Sequence, residues 1–541
     1  MAEATGLLDH PSLGPLVGVS LPEGGIQFRN LLYATIPQRW QHSKVVEDLR
    51  THAPAGKPYD ATRFGPLAPQ PDGTINFDFG LIQKTLPVEH EITLDEEKCL
   101  NLVLTTPKAT ADARVPVVVF IHGGGFFLGG NAWPQYDVRQ LVKLSAEASR
   151  PIVGIGINYR LGLLGALASS ELTPAAEAGN FFFNDQANAL RWIKRHVAGF
   201  GGDPENVTIM GESAGAIWMQ FLKGEALFSR GIVMSGDTHL RQPQPLERGE
   251  EIYKDLLRQI KADGLPVAER VALLRSLPWQ KLIALPQNTR CYPTISGGYD
   301  GLSWDTETGR AQIQRSFAWC KTLVVGDCEL DATAMVPTFR FPDSLDRLRA
   351  SLQQALLSPQ EVEDVFQFYR LEQQDLVFEA TGVHLGIVEL ASDVRFYCAV
   401  VTEDRLSTGS NVHVYHFHEP NPFEGPFIGR AGHVLDVAYT LQTYKHLLPP
   451  ESQPVSEAMG LYVIGVAHGD LDNTAGQPAD ADTTLPATEK SVLVWNREHK
   501  RQVVPAKEYD QKFRRGASEL LERIGVAKLI RALDLFQGWD V

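Results

Sequence analysis

Val207-Thr208-Ile209-Met210-Gly211-Glu212-Ser213-Ala214-Gly215-Ala216 is the most informative segment of this 541-residue chain. It reads as a short apolar strand, a G-x-S-x-G turn and the beginning of a helix. Two glycines around a serine permit a turn so tight that the serine hydroxyl stands clear of the sheet, where a histidine can reach it. The backbone N–H of Ala214 then lies at a helix N-terminus and faces any negative charge that develops there. Ser213 is therefore predicted to be a nucleophile.

Apolar segments elsewhere in the chain extend this strand into a sheet. They are short and mostly β-branched, and they lie at residues 115–121, 152–157, 207–210, 231–234, 322–325 and 412–417. All but the last are uninterrupted, which is typical of strands buried on both faces. Helical patterns lie between them, at 138–149, 185–197 and 216–222. This alternation predicts an α/β fold with a mostly parallel sheet, helices on both faces and ligands at the carboxyl ends of the strands.

We expect residues 1–541 to form a single large domain. Two largely helical regions, approximately 240–295 and 343–408, interrupt the strand pattern. They are predicted to be insertions that cap the active-site end of the sheet and shape the pocket. The C-terminal segment 518–535 is predicted to be an amphipathic helix that packs against the body of the protein.

The composition restricts the possible partners. The chain has 65 Asp and Glu against 50 Lys and Arg, a formal net charge of −15. Nucleic acids and anionic lipid surfaces both attract basic faces, so neither a nucleic-acid nor a membrane partner is expected. The most apolar run, 152–168, is interrupted by Asn158, Tyr159 and Arg160 and does not predict a transmembrane helix.

A glycine-rich segment follows the strand at 115–121. In His122-Gly123-Gly124-Gly125-Phe126, backbone N–H groups can approach a ligand without interference from side chains. A phosphate-binding loop would need a following Lys and Ser or Thr, which this segment lacks. It is therefore predicted to supply two glycine N–H groups that join Ala214 in an oxyanion hole. His122 is expected to hold this loop by hydrogen bonds and not to act as the catalytic base.

If the chain follows the α/β-hydrolase order, the acid should follow the serine and the histidine should follow the acid. After the strand at 322–325, Asp327, Glu329 and Asp331 offer three carboxylates. After the strand at 412–417, His418 and His433 are both candidates for the base. Position alone leaves these alternatives open.

Several further motifs make the chain resemble the type-B carboxylesterase and cholinesterase family of α/β-hydrolases over nearly its full length. They are Glu97-Lys98-Cys99-Leu100-Asn101-Leu102, the glycine loop His122–Phe126, Asn158-Tyr159-Arg160, Asp185-Gln186-Ala187 and the run from Phe200-Gly201-Gly202-Asp203-Pro204 into Gly211-Glu212-Ser213-Ala214-Gly215. In general character the sequence is most similar to intracellular fungal members.

The resemblance implies a role for particular residues. Gly432-His433-Val434-Leu435 is similar to the family segment that carries the catalytic histidine, which favours His433 over His418. The family has a glutamate five residues after the strand-ending glycine, and here that position is Asp331, with Glu329 as the alternative acid. Gly124 and Gly125 with Ala214 correspond to the oxyanion donors. Phe126, Phe127 and Trp218 lie close to these motifs and are predicted to line the acyl pocket.

Cysteine usage points to an intracellular enzyme. The five cysteines are odd in number and widely spaced, which does not suggest a zinc site or a disulfide framework. Secreted members of the family pair the cysteine that matches Cys99 with one just after Phe-Gly-Pro, where this chain has Ala68. The N-terminal residues also lack the basic and apolar regions of a secretory signal. A cytoplasmic location is therefore expected.

These features predict a serine carboxylesterase that hydrolyses a small-molecule ester through an acyl-enzyme, without a metal or an organic cofactor. A thioesterase, lactonase or transacylase acting on a natural product would use the same residues. The family also includes adhesion proteins that have lost the triad, so a catalytically silent binding protein is a further alternative.

Overall fold

A computed structural model describes residues 4–22, 24–108, 114–217, 225–285, 292–295, 320–373, 375–378, 381–406, 411–470 and 490–538. Its centre is a 13-stranded sheet. The strands, numbered β1 to β19 in chain order with the short strands of three small ribbons included, are Thr5–His10, Gly14–Ser20, Ile26–Leu32, Ala34–Thr35, Lys44–Val45, Tyr59–Asp60, Asn101–Thr106, Val115–Ile121, Val153–Ile157, Gly202–Glu212, Arg230–Met234, Gln244–Pro245, Thr294–Ile295, Thr322–Cys328, Val377–Phe378, Val383–His384, Asn411–Phe417, Ser491–Trp495 and Arg501–Pro505.

Helices surround this sheet. Within the described part of the chain the α-helices, numbered α1 to α17, are Thr74–Ile82, Arg139–Glu147, Gly162–Ala166, Phe181–His196, Ala214–Ile217, Leu246–Gln259, Val267–Ser276, Trp279–Ala284, Ser344–Gln354, Pro359–Phe368, Leu385–Ser392, Cys398–Leu406, Leu435–Thr440, Gln453–His468, Ala506–Phe513, Ala517–Ile524 and Val526–Phe536. A π-helical segment, Asp393–Tyr397, joins α11 to α12. None of the described helices is long and apolar enough to cross a bilayer.

The order of the strands explains where a site can form. The sheet runs β1-β2-β3-β7-β9-β8-β10-β11-β14-β17-β18-β19, and β6 pairs with β2. The seven strands from β9 to β18 are mutually parallel, whereas the pairs at both ends of the sheet are antiparallel. Parallel neighbours place their carboxyl ends at one edge. The segments that follow β8, β10, β11, β14 and β17 therefore begin at the same edge.

Both faces of the central strands are buried, as their uninterrupted apolar sequences predict. In β8, Val117, Val119 and Ile121 pack into a core that contains Trp192 of α4. The alternate residues Val118 and Phe120 pack into a second core on the opposite face, together with residues of α2 and α14. This two-sided burial explains why the strand needs no polar face.

Most predicted elements that fall on described residues match the observed ones, whereas residues 218–222 of the helix predicted at 216–222 lie outside the described part of the chain. The six predicted strands correspond to β8, β9, β10, β11, β14 and β17, and α2 and α4 fall within one to four residues of their predicted limits. The predicted C-terminal helix is two helices, α16 and α17, because Gly525 adopts φ +98° and breaks the helix between them. Helices α6 to α8 and α9 to α12 lie in the two regions predicted as insertions. The one-domain organisation and the capping role of these regions stay predictions.

Four of the five cysteines lie in the described part of the chain, and all four are buried free thiols. Burial raises the pKa of the Cys99 thiol above its ordinary range. Ala68 is likewise buried, with 1% of its surface exposed. The cytoplasmic location inferred from this pair stays a prediction.

Candidate active site

Ser213 occupies the turn between β10 and α5. Its backbone φ is +51°, in the left-handed region that non-glycine residues rarely adopt. The strained turn is held at both sides, because the Ser213 N–H donates to the carbonyl oxygen of Met234 at 2.8 Å and its own carbonyl oxygen accepts from Ala216 N–H at 3.0 Å. Such a turn directs the side chain away from the sheet and into the space at its edge.

The glycine loop after β8 lies next to this turn. Gly124 and Gly125 have φ of +91° and +61°, and a Cβ on Gly124 would lie 2.1 Å from the carbonyl oxygen of Leu128. Only glycine fits that position without moving the backbone. Among the residues that the structure describes, the N–H groups of Gly124, Gly125 and Ala214 donate to no hydrogen bond. Three unused donors are thus available beside the serine.

His122 supports this loop, as the sequence indicated. Its Nδ1–H donates to the carbonyl oxygen of Gly123 at 3.0 Å, and its own carbonyl oxygen accepts from Tyr159 Oη at 2.7 Å. The imidazole is stacked on the ring of Tyr159. Burial lowers the pKa of His122 to about 4, so the ring is neutral at physiological pH.

Asp331 is held at the end of β14 by its own turn. The residue is fully buried, and its Oδ2 accepts from the backbone N–H of Cys328 at 2.8 Å. Its other oxygen, Oδ1, lies 2.8 Å from His433 Nδ1. Burial raises the pKa of Asp331, and the contact with His433 opposes this shift. Nδ1 donates its proton to this carboxylate in either protonation state of the imidazole, so in the neutral form the lone pair lies on Nε2.

Hydrogen bonds between two loops bring His433 to this carboxylate. Leu330 N–H donates to the carbonyl oxygen of Ala431 at 2.9 Å, and His433 N–H donates to Thr333 Oγ1 at 2.9 Å. The loop after β17 is thereby paired with the loop after β14 along several residues. The sequence did not indicate this positioning role for Thr333, because the candidates in this segment were its three carboxylates.

Nε2 of His433 faces a second carboxylate, that of Glu212. The distance from Nε2 to Oε1 is 3.0 Å, and only 1% of the Glu212 surface is exposed. No hydrogen bond joins Ser213 Oγ to the imidazole in the described part of the chain. Ser213, Glu212 and His433 nevertheless line the same cavity. Gly123 makes room for Glu212, because a Cβ there would lie 2.1 Å from Oε2.

The two carboxylates and the imidazole titrate as a coupled group. Burial raises the pKa of Glu212 to about 7, and His433 opposes this shift. Burial by itself would lower the pKa of His433, but Glu212 and Asp331 override it and hold that pKa well above its usual value. A protonated imidazole is therefore strongly stabilised in this arrangement. The position of Glu212 directly before the serine was the only signal of this role in the sequence.

The alternative acid and base have other partners. Glu329 accepts from the guanidinium groups of Arg430 at 3.0 Å and Arg497 at 2.5 Å. His418 Nε2 lies 2.8 Å from Tyr509 Oη, and burial lowers the pKa of His418 to about 3. Neither side chain lines the cavity that contains Ser213. The structure therefore brings Asp331 and His433 together and leaves these two alternatives outside the site.

The cavity at Ser213 has a volume of about 230 Å³. Its walls are mostly apolar, and Phe127 is one of them, as predicted. Phe126 does not line it, because its side chain is buried against Phe182 and Phe183 in the core, so the prediction for Phe126 is wrong. Trp218 lies outside the described residues. Asp78, Arg241 and Gln537 also line the cavity, and none of them lies in a recognisable sequence motif.

Comparisons with known proteins show what the chain is similar to. The model of the carboxylesterase family matches residues 14–479. Lipase 3 of Yarrowia lipolytica is 28% identical over 454 residues, which cover 81% of this chain and 84% of that protein. Phenmedipham hydrolase of Pseudarthrobacter oxydans is 34% identical over 281 residues, 51% of this chain and 50% of the relative. Para-nitrobenzyl esterase of Bacillus subtilis is 35% identical over 181 residues, which are 33% of this chain and 34% of that protein.

A solved structure of a PNB esterase superposes with a TM-score of 0.68 at 22% identity, and the match covers 94% of this chain and 99% of that one. This likeness confirms the α/β-hydrolase fold that the sequence predicted. Together with the family match, it means that the chain belongs to the carboxylesterase family and is a carboxylic ester hydrolase.

Proposed function

We propose that this enzyme cleaves esters through an acyl-enzyme on Ser213, with His433 as the general base and acid and Asp331 as the partner of His433. The observation that carries the proposal is the 2.8 Å contact between His433 Nδ1 and Asp331 Oδ1 in the wall of the cavity that holds Ser213. A carboxylate at this position fixes the tautomer of the imidazole and stabilises the imidazolium.

In the first half of the reaction, Ser213 Oγ attacks the ester carbonyl carbon and its proton passes to His433 Nε2. The carbonyl oxygen becomes an oxyanion, which the N–H groups of Gly124, Gly125 and Ala214 can bind. When the tetrahedral intermediate collapses, the bond to the alcohol oxygen breaks and Nε2 returns the proton to that oxygen. The alcohol then leaves, and the acyl group stays on Ser213.

In the second half, a water molecule attacks the acyl carbon while His433 Nε2 takes its proton. Collapse of this second intermediate returns the proton to Ser213 Oγ and releases the carboxylic acid. Each half-reaction requires Nε2 to exchange its contact with Glu212 Oε1 for one with the serine or the water. Catalytic hydrogen bonds of this kind often form only once a substrate is bound.

The cavity limits the size of the substrate. At about 230 Å³ it is smaller than most ligand pockets, and its apolar walls favour a short acyl group. One relative is named a para-nitrobenzyl esterase and others are named lipases. A short aryl ester is therefore a suitable probe for this enzyme.

Replacement of Ser213 tests the proposal. Ser213→Ala should lower kcat for p-nitrophenyl butyrate by more than about 10⁴-fold, since loss of the nucleophile leaves only binding and the oxyanion donors. Ser229→Ala is the matched control, because Ser229 is buried just before β11, at the edge of the sheet away from the cavity. A fluorophosphonate probe should also add its mass to the peptide that contains Ser213. Activity of Ser213→Ala close to that of the wild type would overturn the proposal.

A further inference from the structure

A glutamine in the wall of the Ser213 cavity carries an acceptor that has no donor. Gln537 lines this cavity, and 8% of its surface is exposed. Within the part of the chain that the structure describes, its amide oxygen Oε1 accepts no hydrogen bond. Of the described residues in the same wall, only Glu212 also has such an acceptor, and it faces His433 at 3.0 Å as part of the coupled catalytic group. An enclosed acceptor without a donor is rare in folded proteins and needs an explanation.

A threonine determines which end of the Gln537 amide is used within the protein. Thr338 Oγ1 has one proton, which it donates to the carbonyl oxygen of Met335 at 2.7 Å. The same Oγ1 can then only accept, and Gln537 Nε2 donates to it at 2.6 Å. A flip of the amide would bring two oxygens together without a proton between them. Oε1 is therefore the end of the amide that is left for a ligand.

The backbone that carries Gln537 is fixed to the wall of the cavity. The preceding residue, Phe536, is fully buried at the end of helix α17, and its ring centre lies 5.7 Å from that of Phe339. Phe339 ends the 3₁₀-helical segment Asp331–Phe339, which also carries Thr338. A side chain on a rigid support loses less conformational freedom when it binds a ligand, which suits a recognition residue.

The other lining residues suit an aromatic ring. Phe77, Phe127 and Phe396 belong to the same wall, and the ring of Phe396 lies edge to face against the His433 imidazole, with 5.3 Å between the ring centres. Aromatic ligands pack favourably against such side chains. A neutral amide oxygen is best matched by a neutral donor, because a charged group would lose its hydration without gaining an opposite charge. A phenol has both properties, an apolar ring and one O–H donor at its far end.

We propose that Gln537 is a specificity-determining residue that accepts a hydrogen bond from a phenolic hydroxyl of the substrate. The preferred substrates are then esters whose acid or alcohol carries a phenol ring. The proposal rests on the ester hydrolysis described above. It adds a fixed polar contact to a mostly apolar cavity, which is how ligand pockets usually set the orientation of what they bind.

Two pairs of esters test this assignment, and the members of each pair differ only in a phenolic hydroxyl. The p-nitrophenyl esters of 4-hydroxyphenylacetic acid and phenylacetic acid test the acyl half. The butyrates of 2-(4-hydroxyphenyl)ethanol and 2-phenylethanol test the alcohol half. In each pair the kcat/KM of the hydroxylated ester divided by that of the other ester measures recognition of the hydroxyl. In the wild type this ratio should be about 3 to 10 in the pair whose ring reaches Gln537, the effect of one neutral hydrogen bond.

Two replacements of Gln537 separate loss of the acceptor from a change of shape. Gln537→Met keeps the length of the side chain but has no oxygen, and it should lower the ratio to about one. Gln537→Glu keeps an acceptor oxygen in either protonation state, so the ratio should stay well above one. Gln511→Met is the matched control, because Gln511 is exposed on helix α15 and does not line the cavity. Its ratio should equal that of the wild type.

Several results would overturn the proposal. They are a wild-type ratio of about one in both pairs, a ratio that Gln537→Met leaves unchanged, and a ratio that Gln537→Glu lowers as far as Gln537→Met does. Turnover of p-nitrophenyl butyrate without turnover of either hydroxylated ester would also overturn it. If the wild type and Ser213→Ala were equally inactive on p-nitrophenyl butyrate and on all four esters, the proposed function itself would fail.

Discussion

His433 Nε2 lies 3.0 Å from Oε1 of Glu212, on the opposite side of the imidazole from Asp331. The ring is thus held between two buried carboxylates. This arrangement stabilises the imidazolium that proton transfer from a serine would create. The contact with Glu212 also competes with Ser213 for His433 Nε2. Glu212 should therefore influence both the pKa of His433 and the activation free energy of proton transfer from the serine.

Replacement of Glu212 should shift the pH dependence of the reaction. Glu212→Gln removes a charge that raises the pKa of His433, and burial then lowers that pKa. The base has to be neutral to accept a proton, so kcat/KM rises as the pH passes upward through this pKa. We expect the rising limb to move to lower pH by about one to two units. The shift is measured from kcat/KM for hydrolysis of p-nitrophenyl butyrate between pH 5 and 10.

Glu329→Gln is the control for this shift. Glu329 is also a largely buried glutamate, but its carboxylate is bound by Arg430 and Arg497 and does not contact His433. Its pH profile should coincide with that of the wild type. A rising limb that stays in place in Glu212→Gln would contradict the coupling between Glu212 and the base.

Replacement of Asp331 should nearly abolish turnover. Asp331→Asn keeps the shape of the side chain, but an amide NH₂ placed at Nδ1 favours the wrong tautomer of the imidazole. We expect kcat to fall by about 10⁴-fold, with little change in KM. Glu329→Gln should keep kcat within about three-fold. If kcat fell strongly in Glu329→Gln and only slightly in Asp331→Asn, Glu329 and not Asp331 would be the acid that partners His433.

The places of the three candidate residues could be predicted from the sequence, because they follow from the order of the strands. Ser213, Asp331 and His433 each follow a strand of the parallel sheet. Their convergence requires only that these strands lie close together, and in the sheet β11 alone separates β10 from β14, while β14 pairs with β17. The choice of Asp331 over Glu329 depended on the resemblance to the family, which has its acid five residues after the strand-ending glycine. The physical reason is visible only in three dimensions, where Glu329 turns away from the cavity towards two arginines.

The lining of the cavity could not be predicted in the same way. Phe126 and Phe127 are adjacent in sequence, but Phe126 has φ +67° and its side chain is directed into the core. Gln537 comes from the C-terminus, where Nε2 donates to Thr338 Oγ1 at 2.6 Å. Such contacts join segments about 200 residues apart, and no local pattern marks them.

The glycine loop should be intolerant of side chains. Gly124→Ala places a Cβ 2.1 Å from the Leu128 carbonyl oxygen at a φ of +91°, so the loop has to move. Displacement of an oxyanion donor should lower kcat for p-nitrophenyl butyrate by about 10²- to 10³-fold. Gly264→Ala is the control, because nothing lies within 4 Å of its added Cβ. Wild-type kcat in Gly124→Ala would contradict an oxyanion role for this loop.

A buried cation links the C-terminal region to the strand that precedes Asp331. Only 6% of the Arg514 surface is exposed. Its Nη2 donates to Asp327 Oδ2 at 2.8 Å, its Nη1 donates to Asp393 Oδ1 at 3.1 Å, and its Nε donates to Tyr509 Oη at 3.1 Å. Asp327 belongs to β14, four residues before Asp331, and Asp393 begins the π-helical segment. One guanidinium thus neutralises carboxylates from two parts of the chain.

Removal of this cation should destabilise the protein strongly. Arg514→Met fills much of the same volume but removes the guanidinium from two buried carboxylates, of which Asp327 keeps only its contact with the His416 imidazole. This change should lower the free energy of unfolding by about 3–5 kcal/mol. Urea unfolding followed by tryptophan fluorescence measures the change. Arg515→Met is the control, because the side chain of Arg515 is 39% exposed and its ion pair with Glu389 should contribute less than about 1 kcal/mol. Equal stability of the two variants would mean that the carboxylates around Arg514 take up protons at little cost.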